Sequence, residues 1–238
     1  LKIASLIIGS SEISPFQNLL EKYTQIDHFA LSKNATAQDW ANIREKLKSY
    51  NLVISGIQGI NIYPAGNYGV TEIQRKAVAE VIQDNNSIVV VFGNVYALKH
   101  FDNIHHSKAL IVAYQNTNLI QELAAQIVFG AFDANGKLPV TIDYRFKLND
   151  GIEIKKNNCL AYTIPEEVGI KSDLLNKKID SIAYLGLNNR AYPGCQVLIA
   201  KDGNVILNKT YGYHTYDNKL KVKENDLYDW ASITKVTG

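Results

Sequence analysis

The chain has 238 residues, 46% of them apolar and 20% charged, with 25 Lys and Arg against 23 Asp and Glu and a formal net charge of +2. That length suits one large domain or two smaller ones, each able to bury a core. The balanced charge, with Lys155-Lys156 and Lys177-Lys178 as short solvated pairs, leaves no basic stripe and excludes nucleic acid as an expected partner. Apolar runs such as residues 88–92 are too short to span a bilayer.

The opening residues 1–9 are apolar but lack a basic n-region and a small-residue cleavage site, so they read as a buried strand rather than a signal peptide. Further runs rich in β-branched residues recur at 52–57, 87–92 and 109–113, with a weaker one near 26–31. Between them lie segments of helical period. Trp40, Ile43 and Leu47 follow Thr36, and Ile73, Ala77, Val81 and Ile82 follow Thr71, with Gln74 at the capping-box position. Leu119, Leu123, Ile127 and Val128 follow Asn118, with Gln121 in the corresponding place. Continuous apolar strands separated by helices predict an α/β fold, an open and mostly parallel sheet sandwiched by helices.

Loops at Gly56-Ile57-Gln58-Gly59 and Gly93-Asn94 match neither phosphate-binding fingerprint, which disfavours a nucleotide. His105-His106 near Asp102 reads as a surface loop, because adjacent side chains diverge, and His28, His100 and His214 are isolated. Cys159 and Cys195 have no metal-type spacing and read as free thiols. No cofactor and no metal are expected.

The stretch Val89-Val90-Val91-Phe92-Gly93-Asn94-Val95-Tyr96-Ala97-Leu98 resembles the strand-turn segment of the C-terminal α/β domain of family 3 glycoside hydrolases. Ala113-Tyr114, Gln121-Glu122-Leu123-Ala124-Ala125, Phe129-Gly130 and Gly136-Lys137-Leu138-Pro139-Val140-Thr141-Ile142 resemble its closing signature. Leu138 to Ile142 reads as an extended edge segment. The resemblance covers about residues 1–146. It implies that the nucleophilic Asp belongs to a preceding barrel domain, which this chain does not contain. In the β-glucosidase branch a Glu in the loop after the third strand is the acid, yet residues 56–69 contain no Asp or Glu. Glycoside hydrolysis needs a carboxyl pair or an equivalent acid. The resemblance therefore points to the N-acetylglucosaminidase branch, whose acid is a barrel-loop His.

Residues 147–163 are polar and aperiodic and read as a linker. Beyond it, Ser172 is placed to cap a helix whose Leu175, Ile179, Ile182 and Ala183 share a face, and Tyr192-Pro193-Gly194 breaks that helix. Cys195 to Ala200 and Val205 to Lys209 flank Asp202-Gly203 as a hairpin. Tyr211-Gly212 and Leu227-Tyr228-Asp229-Trp230 then lead to Ala231-Ser232-Ile233-Thr234-Lys235. At a helix start, side chains three apart are neighbours. A lysine whose pKa is lowered by burial or cationic neighbours can take a serine's proton.

This order resembles the opening of the serine β-lactamase and penicillin-binding protein superfamily, especially its class C and esterase-like members, over residues 164–238. The resemblance implies Ser232 as the acylated nucleophile, Lys235 as its activator and the Ser232 N–H as an oxyanion-hole donor. It also implies a Tyr-x-Asn or Ser-x-Asn element and a Lys-Thr-Gly strand. Neither follows Ser232 in this chain, and Val236-Thr237-Gly238 reads as a continuation of the Ser232 helix. With no methionine in the chain, not even an initiator, the expectation is a fragment of a bifunctional bacterial cell-wall hydrolase, inactive by itself. The alternative is a non-catalytic scaffold with a degenerate serine hydrolase partner. The families imply a periplasmic or extracytoplasmic location and carbohydrate or peptidoglycan-derived substrates. They also imply, as partners, the barrel domain and the rest of the serine hydrolase, with self-association through the hairpin at 195–212 as a further possibility.

Overall fold

The structure, a computed structural model, describes residues 1–237, so the Gly238 end of the expected Ser232 helix lies outside the described residues. It divides into two compact units, Leu1–Asn158 and Cys159–Gly238.

The first unit alternates β1 (Ile3–Ile8), α1 (Pro15–Leu20), β2 (Asp27–Leu31), α2 (Ala37–Leu47), β3 (Leu52–Ile57), α3 (Glu72–Asp84), β4 (Ser87–Val91), β5 (Ala109–Val112) and α4 (Asn118–Val128). The strands form one five-stranded sheet, order β2-β1-β3-β4-β5, with every pair parallel. Strand side chains alternate between faces, and both faces are covered, which is why the runs are apolar throughout. Ala4, Leu6, Ile8, Val53, Ile57, Val89 and Val91 meet Trp40 and Leu47 of α2 and Ala77, Val78 and Val81 of α3. On the other face Ile3, Ile7, Ile54, Val90 and Phe92 meet Phe16 and Leu20 of α1 and Ala124 and Ala125 of α4.

Capping boxes start α1 (Ser14 with Gln17), α2 (Thr36 with Asp39) and α3 (Thr71 with Gln74). Helix α4 departs from expectation twice. Thr117 is its N-cap, accepting from the Ile120 N–H, and Gln121 turns inward instead of capping. Its buried face is Gln121, Ala124, Ala125 and Gln126, while Leu119 is exposed. Phe16 and Phe92 already fill that side of the core, meeting edge-to-face at 5.4 Å, so small residues let the helix lie close.

Residues 138–142 are not a strand. Leu138 exchanges backbone hydrogen bonds with Asn149 and Asp150 rather than with the sheet, and Leu138, Val140 and Ile142 pack onto the first core. Arg145 fixes the segment that follows. Its side chain, 7% exposed, donates to the carbonyls of Phe101 (2.9 Å) and Asp102 (2.7 Å) and to Asp143 Oδ2 (2.6 Å).

In the second unit, β6 (Ala161–Tyr162), β7 (Gly194–Lys201) and β8 (Asn204–Gly212) form a small sheet of order β6-β8-β7, beside α5 (Ser172–Asn188). Asp202 (φ 52) and Gly203 (φ 79) both lie in the left-handed region, as the two-residue turn that matches strand twist requires. Ser172 does not cap α5 with its own side chain. Glu166, from the preceding 3-10 turn, accepts from the Ser172 N–H (2.7 Å) and hydroxyl (2.5 Å) and supplies the anion at that terminus. Ile182, expected on the inner stripe, is exposed; Ala183 is buried, and Leu175 and Ile179 are half-buried. Asp180 ties the helix to β8 by accepting from Tyr211 (2.6 Å) and Lys209 (3.0 Å). Among the described residues no helix is long and apolar enough to cross a membrane.

The Asp143–Arg145 clamp has a pH signature. Desolvation pushes the Asp143 carboxyl up, but hydrogen bonds from the Arg145 side chain and backbone outweigh it and hold the group below its ordinary value. A depressed folded-state pKa stabilises fully above the unfolded value of about 3.9, and the contribution is lost as pH falls through the folded one. Stability should therefore decline as pH drops below about 4, and Asp143→Asn should flatten that part of the profile. An identical acid slope in wild type and variant, read by chemical denaturation, would contradict the clamp.

Candidate functional site

In doubly wound sheets the ligand crevice opens beyond the carboxyl ends of the strands, where the connections diverge to either side. Here that point lies between β1 and β3. It is filled by the protein's own carboxamides. Gln58 Nε2 donates to Gln121 Oε1 (3.1 Å), which also accepts from the Phe16 N–H (3.4 Å). Gln121 Nε2 donates to Asn116 (2.8 Å), and Gln74 Nε2 donates to the Gln58 carbonyl (2.9 Å). All three glutamines are buried. Gly9 ends β1 at φ +112, and a Cβ there would stand 2.2 Å from the Gln58 carbonyl oxygen. No room remains for a phosphate at this strand end.

The loops beyond this plug carry little charge. The β3–α3 loop has a left-handed stretch, Gly66 to Gly69, and Lys33 Nζ holds its start by donating to the Gly59 carbonyl (2.5 Å). Tyr63, Tyr96 and Tyr114 are exposed in the loops after β3, β4 and β5. Glu12, in the β1–α1 loop, was missed by sequence reasoning; the connections that leave the carboxyl ends hold one other carboxylate, Asp102, between β4 and β5. The His105 and His106 rings lie 4.0 Å apart, and among the described residues no three His, Cys, Asp or Glu side chains are grouped to hold a metal.

The Ser-x-x-Lys residues lie in the second unit. A 3-10 turn, Ala231–Ile233, runs into α6 (Thr234–Thr237). Lys235 Nζ donates to Ser232 Oγ at 3.3 Å, so the two functional groups share a face. Asp229 Oδ1 accepts from the Ala231 N–H (2.8 Å), and Ala231 takes a left-handed φ of 44° just before the serine. Such a conformation costs a non-glycine residue about 1–2 kcal/mol and turns the chain sharply into the helix. Ser232 and Lys235 are both exposed, as are Leu227, Tyr228, Trp230 and Ile233 around them.

The family model described as the glycosyl hydrolase family 3 C-terminal domain matches residues 15–172. Protein flp of Staphylococcus aureus (strain NCTC 8325 / PS 47) is 42% identical over 59 residues, 25% of this chain and 12% of that protein. The same protein from strain N315 matches equally. The chain thus spans a small part of the length of these curated relatives. A family 3 β-N-acetylglucosaminidase from Paenibacillus sp. str. FPU-7 is similar at 15% identity and a TM-score of 0.46, over 59% of this chain and 27% of that one. A fungal multi-domain family 3 β-N-acetylglucosaminidase with a GCN5-related glucosamine N-acetyltransferase region is similar at 20% identity and a TM-score of 0.45, over 64% and 16%.

Proposed function

The chain belongs to the family of the glycosyl hydrolase family 3 C-terminal domain, and from that membership we propose that its first unit is the non-catalytic α/β partner of a glycosidase whose reacting groups lie elsewhere. The observation that carries this is the carboxyl edge of the sheet: its crevice is filled by Gln58, Gln74 and Gln121, and the β3–α3 loop above it holds no carboxylate. Glycoside hydrolysis needs a carboxyl pair or an equivalent acid, and a crevice closed by carboxamides supplies neither. The carboxylate-free β3–α3 loop fits the β-N-acetylglucosaminidase branch, and the whole protein would then act on carbohydrate derived from peptidoglycan.

Residues 164–238 we propose as the opening of a Ser-x-x-Lys serine hydrolase. Support comes from the turn-linked hairpin, the left-handed Ala231 and the 3.3 Å Lys235–Ser232 hydrogen bond. In the proposed reaction Ser232 Oγ attacks a lactam, amide or ester carbonyl while its proton passes to Lys235 Nζ. The leaving group departs with that proton, and water hydrolyses the resulting acyl ester. Both residues need surroundings that desolvate them, so the competent form is the whole protein. Leu174, Ile182, Tyr184 and Leu185 on α5 and Leu198 on β7 are exposed and are the proposed contact surface for the rest of that domain or for a second copy.

Two experiments test these readings. The purified chain should not turn over a chromogenic N-acetyl-β-glucosaminide above buffer; turnover that Glu12→Gln abolishes would overturn the non-catalytic assignment. The whole protein should be acylated stoichiometrically by a penicillin-like or p-nitrophenyl ester probe. Ser232→Ala should abolish labelling and Lys235→Ala should slow it by about 10³-fold or more. Unlabelled whole protein would instead favour the scaffold reading.

A further inference from the structure

Asn135-Gly136 is the only Asn-Gly pair in the sequence, and it sits in a short connection tied down at both ends. Before it, Ala134 and Ile154 exchange backbone hydrogen bonds in both directions (2.8 and 2.9 Å). After it, the Leu138 N–H donates to the Asp150 carbonyl and the Leu138 carbonyl accepts from the Asn149 N–H, both at 2.8 Å. Between these points Asn135, Gly136 and Lys137 are exposed. Among the described residues, neither the Asn135 carboxamide nor the Gly136 N–H takes part in a hydrogen bond.

A backbone nitrogen in that position can attack the side chain that precedes it. Glycine hinders the attack least, because it lacks a Cβ and its backbone reaches conformations closed to other residues. Gly136 is also unbraced: a Cβ there would meet nothing within 4 Å, and its φ lies outside the left-handed region. The comparable pairs elsewhere are fixed. Asn86 donates from Nδ2 to the Asn51 carbonyl (3.4 Å), and Ser87 after it is buried in β4. Asp150, before Gly151, accepts from the Lys147 N–H (2.6 Å).

We propose that Asn135 is a site of spontaneous deamidation and isomerisation, and that its isoaspartyl product loosens the pairing between Ala134 and Ile154. The Gly136 nitrogen bonds to Asn135 Cγ and closes a succinimide ring. The carboxamide nitrogen leaves as ammonia, taking the proton that the Gly136 nitrogen gives up. Water then opens the ring at one carbonyl to give aspartate, or at the other to give isoaspartate, whose main chain runs through Cβ. That form adds a methylene to a connection with no slack. The Gly136 carbonyl lies so near Gly151 that a Cβ on Gly151 would stand 2.4 Å from its oxygen. Lys137 Nζ holds the same place by donating to the Gly151 carbonyl (2.7 Å) and pairing with Glu153 (3.5 Å).

The test incubates the full folded chain at mildly alkaline pH and follows it by peptide mapping, with fragmentation that separates aspartate from isoaspartate. The peptide holding Asn135 should take on the mass of an amide-to-acid conversion, with isoaspartate the major form, while the Asn86 peptide stays unchanged. Gly136→Ala, which meets no steric obstacle, should leave most of Asn135 unconverted when the wild type has fully reacted. Amide hydrogen exchange at Ala134 and Ile154 should quicken in the converted protein. Freshly purified Asn135→Asp, which adds the charge without the extra methylene, should keep the wild-type exchange. The proposal fails if Asn135 converts no faster than Asn86, if Gly136→Ala converts like wild type, or if conversion leaves exchange at Ile154 unchanged.

Discussion

The hydrogen bond between the Gln58 and Gln121 side chains is the contact on which the first unit's character depends. It joins the end of a central strand to the first turn of α4, and through the Gln58 carbonyl and Gln74 it reaches the start of α3. Buried carboxamides must find partners, and an orphaned one costs about 1–3 kcal/mol. Because these glutamines satisfy each other, the place where comparable sheets hold a ligand becomes part of the core. The loops beyond it are then fixed at their bases, and Tyr63, Tyr96 and Tyr114 in them are exposed.

The second unit obeys a different constraint. Its sheet has a two-residue strand on one side of β8, and α5 keeps a row of apolar side chains in solvent. Polar ties such as Asp180 with Tyr211 and Lys209 hold helix to strand. The Ser232–Lys235 pair is assembled by local geometry alone, since residues three apart meet at a helix start whatever surrounds them. Proximity is therefore present, and both side chains are exposed.

Much of this was legible in the sequence where short-range rules decide. Strands buried on both faces announce themselves as unbroken apolar runs, and Thr36 and Thr71 announce helix starts because a cap acts over three residues. Asp202-Gly203 declared its turn for the same reason. What escaped depended on distant partners. Gln121 looks like a capping residue until Gln58, 63 residues away, claims its oxygen. Arg145 reaches carbonyls more than 40 residues back. Ser172 looks like a cap until Glu166 takes the role. The inner face of α4 was misjudged because leucine outranks alanine in hydrophobicity, whereas the space left by Phe16 and Phe92 rewarded small size. For the candidate site, the contact between Ser232 and Lys235 was legible in their spacing, whereas the carboxamide plug was not, because it exists only once Gln58, Gln74 and Gln121 are brought together.

The carboxamide seal is tested most directly by a double-mutant cycle on Gln58→Leu and Gln121→Leu, read by denaturant unfolding. If the two side chains satisfy each other in a closed crevice, each single variant loses about 1–3 kcal/mol, and the double variant loses clearly less than the sum. Single variants within about 0.5 kcal/mol of wild type, or strictly additive losses, would mean that the crevice is open to water and that the edge of the sheet is available for chemistry after all.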